Sequence, residues 1–339
     1  MNIFSLTSDN LGALIRARYD KGAYHAHALY HEIFRRGNLS LAGAPEFPPD
    51  SLLTRRILKD LTFPPYKIVE QQQDTVIKFA LGLTDGQRVE SVIIPTRGRT
   101  TFCVSSQAGC RMGCRFCATA ANGFVRNLAT EEIISQLFVA RFVFNHKIDN
   151  VVFMGMGEPL DNIDNVLQAI AIMVDPHGFA IAPRQIAIST AGHVDGINNL
   201  ASRNPTSIRL AVSVNAANDT LRSSLMPINN RYPLDMLKKS LQEFPLPKKG
   251  VFFIEYVLLA GINDSYDHAM QLSEYLKGLP VRVNLIVYNA SPASPFMPPA
   301  QEQVDAFAAW LVEKKMFVRI RQSFGKDISA ACGQLSGKK

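Results

Sequence analysis

Short β-branched or apolar runs alternate with helical stretches from Thr100 onward, and this alternation constrains the fold of the 339-residue chain more than any other feature. The strands are expected near 100–105, 150–154, 185–189, 208–214, 252–259, 282–288 and 317–322. Strands that are separated by helices form parallel β/α units, because a parallel connection needs a long crossover. The sequence therefore predicts an α/β protein with a largely parallel central sheet.

Polar or glycine-bearing motifs follow these strands at the points where the strands end. They are a cysteine-rich loop, Gly155-Met156-Gly157-Glu158-Pro159, Ser189-Thr190-Ala191-Gly192, Ser213-Val214-Asn215 and Tyr288-Asn289. Each motif alone is typical of an ordinary turn between a strand and a helix. The carboxyl ends of parallel strands converge on one face of a full or partial (β/α) barrel, so the shared position of the motifs predicts a single site there.

The loop after the first of these strands carries three cysteines, Cys110, Cys114 and Cys117. Three closely spaced thiolates can hold a 4Fe-4S cluster and leave one iron open for a substrate. Structural zinc normally takes four ligands, and His193 is a lone histidine far along the chain rather than part of a second ligand pair. The spacing favours a cluster, with a zinc loop and unliganded core cysteines as the alternatives.

Composition excludes several classes of protein. A hydrophobic fraction of 47% and a charged fraction of 19% describe a soluble globular chain, and no apolar run is long enough to span a bilayer. The first twenty residues do not resemble a secretory signal, so we expect a cytoplasmic protein that does not associate with membranes. Its five cysteines do not suggest a disulfide framework, and no nucleotide-phosphate loop is present.

The net charge of +7 is modest, but its placement is informative. No acidic residue lies between Glu90 and Glu131, or between Glu313 and Asp327. The basic residues of these two windows are Arg97, Arg99, Arg111, Arg115 and Arg126, then Lys314, Lys315, Arg319, Arg321 and Lys326. A positive field around the cysteine loop and before Cys332 would favour thiolates and would fit a polyanion such as RNA. A solvated basic surface is the alternative.

The chain divides into three segments. Residues 1–70 are expected to form short helices in a small accessory domain, which is a candidate for RNA docking. Residues 71–98 form a hairpin or linker, with strands at 75–81 and 88–95 around the turn Thr84-Asp85-Gly86. Residues 99–339 hold the β/α units and Cys332.

At the level of motifs the sequence resembles a known family. The Cys-x-x-x-Cys-x-Phe-Cys loop, followed by Gly-Glu-Pro after the next strand, resembles the radical S-adenosylmethionine superfamily. Four longer strings are similar to the RlmN/Cfr family of RNA adenine methyltransferases: Cys103-Val-Ser-Ser-Gln-Ala-Gly-Cys110, Gly155-Met-Gly-Glu-Pro159, Met226-Pro-Ile-Asn-Asn-Arg-Tyr-Pro233 and Ala330-Ala-Cys-Gly-Gln-Leu335. The resemblance implies a partial (β/α)6-type radical SAM barrel with a small N-terminal helical domain and a connecting β-hairpin.

The resemblance also implies a mechanism. Carbons 2 and 8 of adenine have no lone pair, so they cannot displace a methyl group directly and a radical route is needed. Cys332 would take a methyl group from one S-adenosylmethionine and act as a covalent carrier. A second S-adenosylmethionine, cleaved at a 4Fe-4S cluster on Cys110, Cys114 and Cys117 with an electron from a donor, would activate that methyl group. Glu90 would accept a proton, and Cys103 would release the product through a transient disulfide with Cys332.

Several residues fall on family positions for S-adenosylmethionine. They are Gly157, Glu158, Ser189, Ser213, Val214, Asn215 and Asn289. Glu158 would receive the methionine ammonium, while serine and asparagine groups would bind the ribose or the carboxylate. Asn215 stands where the family motif usually has histidine, so a donor and an acceptor remain but the imidazole is absent.

The substrate that the resemblance implies is an adenosine in 23S ribosomal RNA, with transfer RNA as a second substrate in some members, bound by a monomeric enzyme. Gly-Glu-Pro-Leu resembles the branch of the family that modifies carbon 2, whereas residues 321–327 are closer to the carbon-8 branch. Two other classes stay open at this point. They are a radical S-adenosylmethionine enzyme with a non-RNA substrate and a non-catalytic, zinc-containing RNA-binding protein.

Overall fold

The computed structural model describes residues 1–203, 207–290 and 294–337. Its strands are β1 (Lys67–Gln73), β2 (Ile77–Gly82), β3 (Arg88–Thr96), β4 (Arg99–Cys103), β5 (Gln107–Gly109), β6 (Phe124–Asn127), β7 (Asn150–Phe153), β8 (Ile186–Thr190), β9 (Arg209–Ser213), β10 (Phe252–Leu258), β11 (Val281–Val287) and β12 (Val318–Arg321). Its helices are α1 (Ser8–Tyr19), α2 (Ala23–Phe34), α3 (Leu52–Asp60), α4 (Ala118–Ala121), α5 (Thr130–Phe138), α6 (Ile163–Val174), α7 (Val194–Ser202), α8 (Asp219–Leu225), α9 (Leu234–Glu243), α10 (Tyr266–Leu276) and α11 (Gln301–Glu313).

Ten strands form one mixed sheet in the order β1-β2-β3-β4-β7-β8-β9-β10-β11-β12. The first four are antiparallel to one another, and all pairs from β4 to β12 are parallel. At least one helix connects each neighbouring pair of parallel strands, as a parallel crossover requires. All seven strands expected from the sequence are present, and the α/β fold class with a partial (β/α) barrel is confirmed.

The predicted hairpin is formed by β2 and β3, which pair in register from Ile77↔Ile93 to Gly82↔Arg88. Its turn is closed by a hydrogen bond from the Gly86 N–H to the Leu83 carbonyl at 3.0 Å. Gly86 has φ +82°, a left-handed backbone conformation that favours glycine. The hairpin is the antiparallel part of the main sheet, because β3 also pairs with β4. Residues 71–98 thus contain the hairpin as part of the main sheet, and the division of the chain into three segments stays a prediction.

The N-terminal segment packs directly on the barrel helices. The Phe4 ring lies 5.0 Å from that of Phe138, and the Phe34 ring lies 5.1 Å from that of Phe179. These residues belong to the continuous apolar core that lies between the sheet and its helices. The segment is helical up to α3, but its end differs from the prediction, since β1 begins at Lys67. No helix in the described ranges has the length and apolarity that crossing a membrane would need.

The segment after β12 closes the barrel on the side of the hairpin. Ala330 and Leu335 pack with Val76, Val92 and Met156 in a second apolar cluster, separate from the main core. A Cβ atom at Gly325 would lie 2.5 Å from a methyl group of Val76, so this contact is close. The C-terminal segment thus lies against β2 and β3, and it brings Cys332 over the carboxyl ends of the strands.

We predict that Gly109→Ala destabilises the protein far more than Gly86→Ala. Both glycines have positive φ, at +75° and +82°, but a Cβ at Gly109 would collide with the Gly123 carbonyl whereas one at Gly86 meets open space. Backbone strain alone costs about 1 kcal/mol, and the collision adds several more. Urea unfolding of the apoprotein measures both losses, and equal losses in the two variants would contradict the prediction.

Candidate active site

A cavity of about 1020 Å³ occupies the interior of the partial barrel. Side chains from β3, β4 and β7 to β12 line it, together with the segment that follows β12. Cys103 at the end of β4 and Cys332 both face this cavity. The structure therefore brings the two cysteines outside the cysteine loop into one chamber, as the resemblance requires.

Cys332 is held in place through its backbone from two sides. Its carbonyl accepts a hydrogen bond from the Asn289 amide nitrogen at 3.2 Å, and the neighbouring Gly333 carbonyl accepts one from the Ala118 N–H at 2.7 Å. Ala118 directly follows Cys117 of the cysteine loop. Cys332 consequently lies between that loop and Cys103.

The basic surroundings do not favour thiolates at Cys103 and Cys332. Burial raises the pKa of Cys103 to about 12, and the nearby Cys332 adds to the effect. The pKa of Cys332 is also raised, because the walls of the chamber desolvate its sulfur although the residue is exposed to the chamber. The positive charge of Arg321 lowers both pKa values but does not overcome desolvation.

The three loop cysteines lie close together, and their proximity adds to the raised pKa values of Cys110 and Cys114. Burial raises the pKa of Cys110 to about 12 and that of Cys114 well above 9, and Cys117 contributes to both shifts. Thiolates at these positions would repel one another in poorly solvated surroundings, so they need a bound cationic centre. Among the described residues, no three metal-ligating side chains surround a point suited to one metal ion.

The charge around the cysteine loop is less positive than its sequence predicts. Arg111 pairs with Asp161 at 3.0 Å, and Arg126 pairs with Glu132 at 2.7 Å. The Arg126 guanidinium also pairs with Asp85. Asp161 and Asp85, from distant parts of the chain, and the nearby Glu132 thus neutralise these two arginines. Arg97 and Arg99 lie at the opposite end of β4 from the loop.

His193 has both ring nitrogens engaged within the protein. Nδ1 accepts a hydrogen bond from the Gly196 N–H at 2.9 Å and caps α7, while Nε2 lies 3.2 Å from an Asp161 carboxylate oxygen. This arrangement requires the neutral tautomer with its hydrogen on Nε2. His193 is therefore a helix cap that supports Asp161, and it has no free nitrogen for zinc.

Glu158 is buried beneath the turn after β7. Its carboxylate accepts hydrogen bonds from the Ala191 N–H at 2.7 Å and the Leu160 N–H at 3.1 Å. Burial nevertheless raises its pKa to about 7, with the hydrogen bonds opposing the shift. The preceding Gly157 has φ +101°, and a Cβ there would lie 2.5 Å from the Gln107 side chain. This position therefore needs glycine.

A buried arginine ties together the turns after β8 and β9. The Arg222 guanidinium donates to the carbonyls of Ala191 at 2.8 Å, Ser213 at 3.2 Å and Val214 at 3.1 Å, and to the Asn229 side chain at 2.7 Å. It is fully buried, and this burial lowers its pKa. Arg222 thereby fixes two of the predicted cofactor positions. Ser189, another predicted cofactor position, lies on β8 and pairs with Ala211 of β9.

Asn215 and Asn289 differ in how much of their hydrogen-bonding capacity the protein uses. The side-chain oxygen of Asn215 accepts a hydrogen bond from the Val257 N–H at 2.8 Å, and its side-chain nitrogen donates to the Met226 sulfur at 3.2 Å. In contrast, the Asn289 side-chain oxygen and the Tyr288 hydroxyl are buried without a partner among the described residues. Such orphaned polar atoms indicate a ligand-binding position after β11.

Glu90 is buried on β3 rather than solvated. One carboxylate oxygen accepts from the Ser336 N–H at 2.8 Å, and the other lies 3.6 Å from the Lys78 ammonium. The C-terminal segment covers it, and its side chain does not line the chamber that Cys103 and Cys332 share. Its role as proton acceptor stays a prediction.

Comparisons with known proteins agree with this arrangement. A sequence model of the Radical SAM superfamily matches residues 104–272. A probable dual-specificity RNA methyltransferase RlmN 1 from Protochlamydia amoebophila is 42% identical over 336 residues, which cover 99% of this chain and 94% of that protein. The chain belongs to the RlmN/Cfr family of radical S-adenosylmethionine RNA methyltransferases. This family assignment displaces the zinc-protein alternative.

Further relatives cover the chain equally well. A dual-specificity RNA methyltransferase RlmN from Geobacter sulfurreducens is 41% identical over 343 residues, covering 100% of this chain and 92% of that protein. The crystal structure of a radical SAM methyltransferase from Sphaerobacter thermophilus matches with a TM-score of 0.90 and 35% identity over 100% of both chains. The family fold therefore extends over the whole chain, including the N-terminal helices.

Members of the radical S-adenosylmethionine family use that compound and a 4Fe-4S cluster. The donor set of this chain fits both groups. The cluster would be held by the thiols of one loop, those of Cys110, Cys114 and Cys117. The buried, unpartnered oxygens of Tyr288 and Asn289 suit the polar groups of S-adenosylmethionine.

Sequence reasoning missed two buried charged groups of the site. Glu255 on β10 lines the chamber and is held by Arg321 at 3.2 Å and by the Asn284 amide at 2.8 Å. A lone acid inside the apolar run 252–259 is a signal that could have revealed it, because such residues are rarely buried without a partner. Arg222 lies in an ordinary polar helix, and nothing in its local sequence distinguishes it.

We predict that Arg222→Lys lowers the free energy of unfolding of the apoprotein by about 3 kcal/mol, since a lysine cannot replace a fork of four hydrogen bonds in a buried position. Urea unfolding measures the loss. The matched control is Arg231→Lys, whose side chain is 70% exposed beside Asp195, and it should change stability by less than about 0.5 kcal/mol. Similar effects of the two substitutions would contradict the prediction.

We also predict a pH-dependent contribution of Glu158 to stability. Its pKa of about 7 in the folded protein exceeds the ordinary value of 4.5, so the folded state binds more protons than the unfolded state between these values. The contribution of Glu158 to the free energy of unfolding therefore falls as pH rises from about 5 to 7. Urea unfolding from pH 5 to 8 should show this slope in the difference between unmodified protein and Glu158→Gln. A flat difference would contradict it.

Proposed function

We propose that the protein methylates a ring carbon of adenine in RNA, with Cys332 as the methyl carrier and Cys103 as the cysteine that releases the product. The observation that carries this proposal is the position of Cys332, which the Asn289 and Ala118 hydrogen bonds hold between the cysteine loop and Cys103. A carrier must reach a methyl donor on one side and a resolving thiol on the other. A chamber lined by both thiols meets that need.

The cofactor roles follow the same arrangement. A cluster on Cys110, Cys114 and Cys117 would supply the reductive cleavage of S-adenosylmethionine, with an electron from a separate donor. Glu158, Ser189, Ser213, Val214, Asn289 and the backbone at Gly157 and Asn215 would form the S-adenosylmethionine site. Each turnover would use two molecules, one as methyl donor to Cys332 and one for activation.

The protein's own groups account for release of the product. The Cys103 thiolate attacks the Cys332 sulfur, an S–S bond forms, and the bond between that sulfur and the transferred carbon breaks. The electron pair of the broken bond stays on the carbon, which takes up a proton. Glu90 would accept the proton lost from the ring, after movement of the segment at Ser336 that now covers it. An external dithiol would then reduce the disulfide.

The substrate proposal rests on the relatives named as dual-specificity RNA methyltransferases and on the unpaired basic residues of this chain. We propose an adenosine in 23S ribosomal RNA, with transfer RNA as a second substrate, and a monomeric enzyme that works in the cytoplasm. Residues 1–70 would assist RNA docking, while 99–339 would carry the chemistry with the hairpin 71–98 at the edge of its sheet.

We predict that Cys332→Ala abolishes RNA methylation, because the carrier sulfur is lost. Anaerobically reconstituted protein would be incubated with methyl-labelled S-adenosylmethionine, a reductant and RNA from a strain without such enzymes. Mass spectrometry of the digested RNA then identifies the modified nucleoside and separates carbon 2 from carbon 8. Ser323→Ala, at another residue lining the chamber, is the matched control and should retain methylation. Labelled product in a non-RNA molecule would contradict the proposal.

We predict that Cys103→Ala stops the reaction one step later. Without a resolving thiol, the bond between Cys332 and the RNA cannot be broken, so a covalent protein–RNA adduct should accumulate. Denaturing electrophoresis with labelled RNA detects the adduct, and ribonuclease digestion should leave a modified peptide that contains Cys332. Free methylated RNA at the unmodified rate would show that Cys103 is not the resolving residue.

A further inference from the structure

Six arginines gather at the amino-terminal edge of the parallel strands, at the end opposite the cysteines. This amino-edge arginine cluster consists of Arg97, Arg99, Arg184, Arg209, Arg282 and Arg319. Its members come from five separate stretches of chain. Arg99 is the first residue of β4, and Arg209 is the first residue of β9. Because the strands run in parallel, residues at their starts are brought to one rim of the barrel.

The cluster has no counter-charge within the described part of the chain. None of the six guanidinium groups lies within ion-pair distance of a carboxylate there. Asp149 lies at the same rim, but it accepts from the Thr100 N–H at 2.8 Å and faces Lys147 at 3.9 Å. Partial desolvation and the charges of Arg282, Arg99 and Arg184 lower the pKa of Arg209. Mutual repulsion of this kind is relieved by an external anion.

Aromatic rings accompany the arginines. The Arg282 guanidinium lies 4.9 Å from the centre of the Phe317 ring, and Arg209 lies 5.8 Å from that of Phe253. Phe317 is 59% exposed, which is unusual for so large an apolar side chain. Arginine planes and exposed aromatic rings are the groups on which unstacked nucleobases pack. A free inorganic anion would not need them.

The chamber connects this rim to the reactive cysteines. Arg97, Arg99, Arg209 and Arg319 line the same cavity as Cys103 and Cys332. Arg99 and Cys103 are the first and last residues of β4, and four steps of about 3.3 Å separate them by about 13 Å. One extended nucleotide together with an arginine side chain can span this distance. A base turned out of its stack could therefore reach the cysteines while its phosphates stay at the rim.

We infer that RNA enters the barrel through the amino-terminal rim, where the amino-edge arginine cluster binds the phosphates that flank the target nucleotide. The inference rests on the proposed function and adds the route of entry and the groups that bind the backbone. The target base passes into the chamber from the side opposite the cysteine loop. The rim residues bind phosphate rather than base edges, so they contribute affinity without sequence preference.

The test is RNA binding by the triple variant Arg99→Gln, Arg209→Gln, Arg319→Gln of the full-length protein. We expect binding of a transfer RNA or a ribosomal RNA hairpin to weaken on the order of 100-fold at 0.1 M salt. The slope of log affinity against log salt concentration should fall by about 2, because each phosphate contact contributes about 0.7. The equivalent triple lysine variant should keep most of the slope, since phosphate accepts any positive charge.

The matched control removes three charges from α9 and the segment before it, with Arg231→Gln, Lys238→Gln and Lys239→Gln; Arg231 pairs with Asp195 at the start of α7, on the side of the carboxyl ends of the strands. It should change the RNA affinity by about twofold at most, because these residues lie away from the rim. Thermal unfolding of each apoprotein confirms that the variants fold, as the three substituted arginines are exposed. Equal losses of RNA affinity in the arginine-to-glutamine variant and in this control would overturn the inference, because net charge rather than the rim would then explain binding.

The outcomes separate this inference from the proposed function. Unchanged RNA affinity and salt slope in the arginine variant, with methylation of RNA by the unmodified protein, would overturn the rim as the entry route and leave the proposed function standing. Absence of both RNA binding and RNA methylation in the unmodified protein would overturn the two together. Weaker binding with a reduced slope in the arginine variant alone supports the inference.

Discussion

Parallel pairing from β4 to β12 is the constraint on which the rest of the structure depends. The register runs through Cys103↔Val152, Phe153↔Ile188, Thr190↔Val212 and Leu258↔Val287, so the carboxyl ends of successive strands stay level with one another. Turns that are far apart in sequence are thereby brought to one face of the barrel. The same register brings the strand starts to the other rim, which separates the reactive thiols from the arginines. The proposed chemistry and the inferred binding of the RNA backbone thus occupy opposite ends of one chamber.

Buried polar groups hold this face in shape. Arg222 fixes the turns after β8 and β9, and Glu158 draws in the turn after β8 through the Ala191 N–H. Asp161 links His193, the cap of α7, to Arg111 of the cysteine loop. Because each of these groups is bonded to backbone or to an opposite charge, the protein itself holds the turns of this face in place. Such preorganisation suits a reaction that must control a reactive intermediate.

The sequence was sufficient for the parallel strands and the hairpin but not for β1, β5 and β6, and the pairing of Cys103 with Cys332 was implied only by the family resemblance. Strand periodicity and turn residues located the parallel strands and the hairpin, because they depend on local patterns. Electrostatic expectations were less successful, since pairing partners such as Asp161 for Arg111 come from distant positions in the chain. The thiol pKa values differ from expectation for a similar reason, as burial outweighs nearby positive charge. No local pattern could show that Ser336 covers Glu90 or that Arg222 is buried.

The second apolar cluster determines when the chamber can be completed. Val76 and Val92 of the hairpin region meet Ala330 and Leu335, residues that are separated from them by almost the whole barrel. Contacts at such a separation carry a loop-closure entropy, which assembly of the intervening strands reduces. The cluster is also small and distinct from the main core, so opening it exposes less apolar surface than opening the main core would. Cys332, the proposed methyl carrier, lies on the segment that this small cluster attaches, so opening of that segment would expose Cys332 without disturbing the main core.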